Sequence, residues 1–266
     1  MAEFIELGPL QLAIAALLVV AAGIVSLVLR LGIEQRLGVA ALRTVIQLGL
    51  LGLVLERVFS LRNPVLVVGL LILMTAFAAR EAVSRTSRHY RGILWDAWLT
   101  MAVSCFAVGG IVTSLVVGVD PWYEPQYVIP LLGMILGNSL TGISLGLDRF
   151  LDHLDVRSAE VELRIASGAT RREALAVPVR DAIRTGMIPI INSMAAAGIV
   201  SLPGMMTGQI LAGSPPMQAV AYQIVVMFML AAAVALGAML VVGLAGRHFM
   251  GTDATLRLDR LVARRG

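Results

Sequence analysis

The sequence predicts an all-α polytopic membrane protein of about seven transmembrane helices, and three observations carry that prediction. Of its residues 58% are hydrophobic and only 14% are charged, with a mean hydropathy of +0.88. Such an excess would leave large apolar patches on a soluble domain but suits a chain solvated by lipid. Uncharged runs of membrane-crossing length recur along the chain, and its arginines segregate into alternate connections between them.

A helix needs roughly 20 apolar residues to cross the hydrocarbon core. Runs near that length lie at 7 to 29, 97 to 119, 126 to 147, 185 to 214 and 215 to 246. Two others are less clean, since 37 to 55 contains Arg43 and 63 to 79 is barely long enough. The first run follows Glu3 and Glu6 rather than a basic stretch and is too long for the core of a cleavable signal, so it is expected to stay in the mature protein.

With the N-terminus outside, the inward segments hold Arg30 and Arg36, then Arg80, Arg85, Arg88 and Arg91, then seven arginines between 149 and 184, and five in the C-terminal tail. The outward segments hold only Arg57 and Arg62. This positive-inside bias predicts an external N-terminus, a cytoplasmic C-terminus and an odd number of spans. The outer connection 120 to 125 carries Trp122 and Tyr123, as expected of an interfacial anchor. No fixed-period repeat interrupts the pattern, so residues 1–266 read as a single transmembrane domain with one sizeable loop, 148–184.

Several functions are excluded by composition. All 21 basic residues are arginine, and a P-loop needs the lysine of GxxxxGK[ST], so the chain is expected to hydrolyse no ATP and to be no enzyme. A retinal Schiff base needs a lysine too. The net charge of +4 comes without a basic tract interleaved with aromatics, which speaks against nucleic acid as a partner and for the lipid bilayer. Cys105 is the single cysteine, so no disulfide can form within the chain.

The 148–184 loop has an internal pattern. Val161 and Ile165, spaced i, i+4 among Glu160, Glu162 and Arg164, predict a short amphipathic helix. Gly168 and Ala169 follow where a C-terminal cap falls, since glycine reaches positive φ without strain. Thr170 and Glu173 then form a capping box for a second helix. A helix, a glycine turn and a second helix at the membrane face make a docking element able to sit in a cleft on a partner.

The stretch Glu162-Leu-Arg-Ile-Ala-Ser-Gly168-Ala-Thr-Arg-Arg-Glu-Ala-Leu175 resembles the EAA coupling loop of ABC-transporter permeases, with Leu163 and Arg164 in place of the two alanines. Three further segments extend the likeness: Ala41-Leu-Arg43-Thr-Val-Ile-Gln47-Leu48, the glycine-rich run from Ile129 to Arg149 around Asn138 and Thr141, and Ser201-Leu-Pro203-Gly204-Met-Met-Thr-Gly208-Gln209-Ile-Leu-Ala-Gly213. Together they resemble the bacterial Fet-type ABC permeases, a family associated with iron export and related to plant aluminium-tolerance permeases. The resemblance implies a multi-pass permease of the bacterial inner membrane, exporting iron or another metal. It implies two copies paired with two separately encoded ATPase subunits, with no cofactor in this chain and with ATP and Mg²⁺ in the partner. Glu160, Glu162, Gly168, Ala169, Thr170 and Glu173 would then couple the ATPase to the spans.

Polar residues within apolar runs are the candidates for a substrate path. Arg43 and Gln47 lie one turn apart and could meet an anionic or oxygen-rich group, although an interfacial, snorkelling Arg43 is the alternative. Gly133, Gly137, Gly142 and Gly146 form two GxxxG patterns that favour close helix packing, with Asn138 and Thr141 between them as candidate lining. Pro203 and Gly204 interrupt the sixth run near its outer end, predicting either a re-entrant piece over 203 to 215 or an ordinary loop. Asn192, Gln209 and Gln223 complete the set. Seven of the 13 methionines fall between 187 and 229, but thioethers favour soft ions, and the metal ligands are left unassigned.

Two other functional classes remain open at this stage. An ion-coupled secondary transporter usually carries an acidic residue inside a span, and none lies in an apolar run here. A seven-helix membrane sensor would bind a ligand without moving it.

Overall fold

The computed structural model describes residues 8–251 and 255–263. Glu3 and Glu6, which bear on the expectation about a cleavable signal, lie outside them, as do Arg264 and Arg265 of the tail. The chain divides into two compact units, residues 1–63 with Leu211–Gly213, and residues 64–210 with 214–266.

In the first unit Pro9–Val28 forms α1 and Glu34–Leu61 forms α2. Pro9 suits a first helical turn, where its missing N–H has no partner to lose. Ser26 holds the turn between the two helices: its Oγ donates to Glu34 Oε2 at 2.7 Å and accepts from the Ile33 N–H at 3.3 Å. Large apolar side chains such as Leu10, Leu18, Val28, Leu42 and Val45 stand exposed along both helices. That surface suits helices solvated by lipid rather than water.

The second unit begins with α3 (Pro64–Ser84), a two-residue strand β1 (Arg88–His89) and α4 (Ile93–Ile111), which continues as a π-helical turn over Val112–Val117. There follow α5 (Pro125–Val156), the short α6 (Ser158–Ala166) and α7 (Arg171–Ala174), α8 (Ala176–Ala196), α9 (Gly204–Leu211) and α10 (Pro216–Phe249). A strand β2 (Val262–Ala263) pairs antiparallel with β1, Arg88 opposite Ala263 and His89 opposite Val262. The core lies where α5, α8, α10 and α4 meet, with Met101, Ile135, Ile143, Phe150, Val234 and Phe249 fully buried.

Six helices are long and apolar enough to cross a membrane by length and composition: α1, α2, α3, α4 with its π turn, α5 and α10. The fold is all-α in its spans, as expected. The segment 185 to 214, expected as one span, is divided. α8 starts in charged sequence, with Arg180, Asp181 and Arg184, and stops at Ala196. Gly198 at φ +81° turns the chain, and Pro203, which lacks an N–H, keeps the preceding residue out of helical geometry. α9 has eight residues, about 12 Å of helix, well short of a bilayer core.

The loop expected over 148–184 has helical ends. α5 carries on to Val156 and α8 starts at Ala176, so only 157–175 lies between the two long helices. Aromatic pairs mark both ends of the 25-residue segment Ile93–Val117. Trp95 stacks on Trp98 at 5.1 Å near its start, and Trp122 meets Tyr123 edge to face at 5.6 Å just beyond it. Indole and phenol rings favour headgroup level, so both pairs have the chemistry of interfacial anchors.

Candidate functional site

The hairpin between α5 and α8 is built from local rules. Val161 is buried and anchors α6, while Glu160, Glu162 and Leu163 are exposed. Gly168, at φ +88°, ends the helix in a Schellman turn. Its N–H donates to Ile165 O at 2.9 Å, and that of Ala169 donates to Arg164 O at 3.0 Å.

The capping box then starts α7. Thr170 Oγ1 accepts the Glu173 N–H at 3.4 Å, and Glu173 Oε2 accepts both the N–H and the hydroxyl of Thr170 at 2.7 Å. The backbone and hydroxyl bonds from Thr170 hold the Glu173 carboxyl below its ordinary pKa. All six residues read from the sequence as one element are thus brought together: Glu160 and Glu162 on α6, Gly168 and Ala169 in the turn, Thr170 and Glu173 at the start of α7. Leu163, which stands with Arg164 where the coupling motif has alanines, is 68% exposed between Glu162 and Arg164.

The helices on either side of the hairpin are in backbone contact with each other. A Cβ on Gly186 of α8 would stand 2.6 Å from the carbonyl oxygen of Gly142 on α5, and one on Gly146 would stand 3.2 Å from that of Ala182. The second GxxxG pattern is therefore a packing surface, as small residues at a helix contact allow. In the first, a Cβ on Gly133 would stand 3.3 Å from Met74 Cε on α3, while one on Gly137 would meet nothing within 4 Å.

The polar candidates fall into separate groups. Arg43 and Gln47 share one face of α2 with Gln35, Arg36 and Thr44, lining a recess of about 520 Å³. On α5, Asn138 Nδ2 donates to Met134 O at 2.9 Å and Thr141 Oγ1 to Gly137 O at 3.4 Å, so each is satisfied within its own helix. Asn192 is exposed on α8. Pro203 and Gly204 mark the start of α9. Gln209 on α9 and Gln223 on α10 each have a buried Oε1 with no partner among the described residues. Among those residues no group of three or more His, Cys, Asp or Glu side chains could hold a metal ion.

Two polar clusters escaped the sequence reading. Asp96, in the first turn of α4, is 7% exposed. Its Oδ2 accepts the Tyr90 hydroxyl at 2.7 Å and lies 3.0 Å from His248 Nε2 at the end of α10. Burial, and then the bond to Asp96, push the Tyr90 hydroxyl far above its ordinary pKa. In the second cluster Ser87 and Arg88 grip three carboxylates on one face of α5. Asp148 Oδ1 accepts the Ser87 N–H and hydroxyl, each at 2.7 Å, while Arg88 donates to Asp152 at 2.8 Å and Asp155 at 2.7 Å. Burial works against the Arg88 charge, yet Asp155 and Asp152 outweigh it and raise its pKa. The spacing i, i+4, i+7 of the three acids was a readable signal of a shared face.

The chain matches an uncharacterised protein family, UPF0014, over residues 9–250. It is 39% identical to the UPF0014 membrane protein slr1647 of Synechocystis over 71% of this chain and 73% of that one. It is 31% identical to the Escherichia coli protein named "Probable iron export permease protein FetB", over 94% of this chain and 95% of that one. The rice UPF0014 membrane protein STAR2 is 31% identical over 86% of this chain and 78% of its own length. No solved structure matches. Matched over residues 9–250 and carrying six membrane-capable helices among the described residues, the chain is a member of the UPF0014 family of membrane proteins.

Proposed function

We propose that this chain is the permease subunit of an ABC exporter of iron or another metal, driven by ATP and Mg²⁺ on a separate ATPase subunit. Two permeases and two ATPases make the transporter, with the N-terminus outside and the arginine-rich ends of the helices in the cytoplasm. The observation that carries this reading is the α6–α7 hairpin, an exposed element ending in a Schellman turn and a capping box, joined to α5 and α8, which touch at Gly142 and Gly186. ATPase closure would move Glu160, Glu162, Gly168, Ala169, Thr170 and Glu173 as one body, and the glycine contact would pass that movement into the spans.

The name of the Escherichia coli relative supports iron as cargo. Amide and hydroxyl oxygens suit hard metal ions better than thioethers do. Within the second unit Gln209 and Gln223, with unpartnered oxygens, head the proposed path, followed by Asn138, Thr141 and Asn192, with Pro203 and Gly204 flexing its outer end; within the first unit Arg43 and Gln47 are proposed by themselves to meet an anionic ligand of the metal. An ion-coupled carrier would want its carboxylate at mid-membrane, whereas Asp96 sits in the first turn of α4 in the grip of Tyr90 and His248.

The test is reconstitution with a separately expressed ABC ATPase subunit. Co-purification and iron-stimulated hydrolysis are expected. At Gly168 a β-branched side chain meets a left-handed backbone, a strain of about 1–2 kcal/mol, so Gly168→Val, like Glu162→Ala, should leave insertion intact and uncouple hydrolysis from transport. Normal transport in both variants would sink the coupling assignment.

A further inference from the structure

At the arginine-rich end of α10, a groove of about 490 Å³ opens between that helix and α7–α8. Its wall is apolar, made by Leu175, Val179, Val242, Gly243 and Met250, and its remaining side chains include three arginines, Arg171, Arg172 and Arg247. Neither Arg172 nor Arg247 makes an ion pair among the described residues. The groove is open beside Gly243 of α10, where an added Cβ would meet nothing within 4 Å. It lies at the end of a 34-residue helix long and apolar enough to span a membrane.

Cations with no carboxylate partner beside an apolar slot complement one chemistry, an anion carrying a hydrocarbon chain. The volume falls within the usual range of about 300–1,000 Å³ for ligand pockets. A free anion would leave the wall wet, while a neutral lipid would leave the guanidinium groups without a counter-charge. Arginine is also suited to phosphate, since its planar fork of donors matches two phosphate oxygens at once. We propose that the groove binds one acidic phospholipid, its phosphate against Arg172 and Arg247 and one acyl chain along Val179, Val242 and Gly243. Because α7 supplies one side of the groove, the lipid ties the hairpin to the end of α10. Lipid binding at this groove can be measured on this chain alone, without cargo or ATPase.

The test uses the full chain, purified in detergent and delipidated, with dioleoyl phosphatidylglycerol, dioleoyl phosphatidylcholine and inorganic phosphate as probes. Bound lipid is counted by native mass spectrometry, and thermal stability is followed in parallel. One phosphatidylglycerol per chain is expected to survive exchange against a tenfold excess of phosphatidylcholine, with phosphate giving no protection. The double variant R172Q/R247Q removes two charge-assisted contacts to the phosphate and should weaken retention by at least about a hundredfold. Gly243→Leu keeps every charge but fills the slot, and should abolish retention in a chain that remains folded. Arg164→Gln, on exposed α6, should change nothing. Equal retention of the two lipids, displacement by inorganic phosphate, an equal loss in R164Q, or undiminished retention in G243L would each overturn the proposal.

Discussion

Gly186 of α8 and Gly142 of α5 approach so closely that a methyl group on the first would press into the backbone oxygen of the second, at 2.6 Å. Backbone cannot swing aside as a side chain can. Gly186→Ala should therefore destabilise the fold by about 1–3 kcal/mol, the usual cost of overpacking. Gly137→Ala, in open space on α5, should be neutral within about 1 kcal/mol. Unfolding can be followed by alkylation of Cys105, a single thiol only 1% exposed. Equal effects of the two substitutions would contradict the contact.

Asp96 serves two partners from different parts of the chain, Tyr90 and His248. Asp96→Ala strands the buried Tyr90 hydroxyl, which costs about 1–3 kcal/mol, while His248, whose side chain is 39% exposed, can turn to water. Asp96→Asn keeps an acceptor oxygen and should retain more than half of the lost stability. Thermal melts of the two variants in one detergent decide the matter.

Arg88 holds Asp152 and Asp155 with separate nitrogens. Both carboxylates are more than a third exposed, so solvent screening limits the loss in Arg88→Ala to about 1 kcal/mol. Arg88→Lys should recover only part of it, because an ammonium group cannot reproduce the fork. Full recovery in the melting temperature would rule out a geometric role for the guanidinium.

The Glu173 carboxyl has its pKa lowered by its bonds to Thr170. Between the lowered and the ordinary value the unfolded chain binds the extra proton, so the cap stabilises fully above the ordinary glutamate pKa and loses that effect as pH falls through the lowered one. Hydrogen-exchange protection at the Thr170 and Glu173 amides, taken relative to the intrinsic rate at each pH, should be high at neutral pH and fall in that acid window. In Glu173→Gln the protection should not change across that window.

Features defined within one or two helical turns were legible in advance. Thr170 and Glu173 are three residues apart, Gly168 sits two before the cap, and the structure makes all of their expected bonds. The contacts that were not legible span long stretches of chain. Ser87 lies 61 residues from Asp148 and Arg88 lies 67 from Asp155. Asp96 falls one residue before the apolar run expected from 97, so it looked like a loop acid until His248 was brought against it. The divided segment was half legible. Pro203 announced a break, but hydropathy gave no sign that α8 would begin in the charged sequence at Ala176.

The bond network around Asp96 joins the start of α4 to the end of α10, and so gives the pair a pivot. The 25 residues from Ile93 to Val117 measure about 37 Å at roughly 1.5 Å per residue. With one end pinned, a tilt of about 10° carries the free end roughly 6 Å, more than the pitch of one helical turn. A rotation about this clasp would be magnified at the far end of the helix, so the position of Asp96 suits a fulcrum better than a lock.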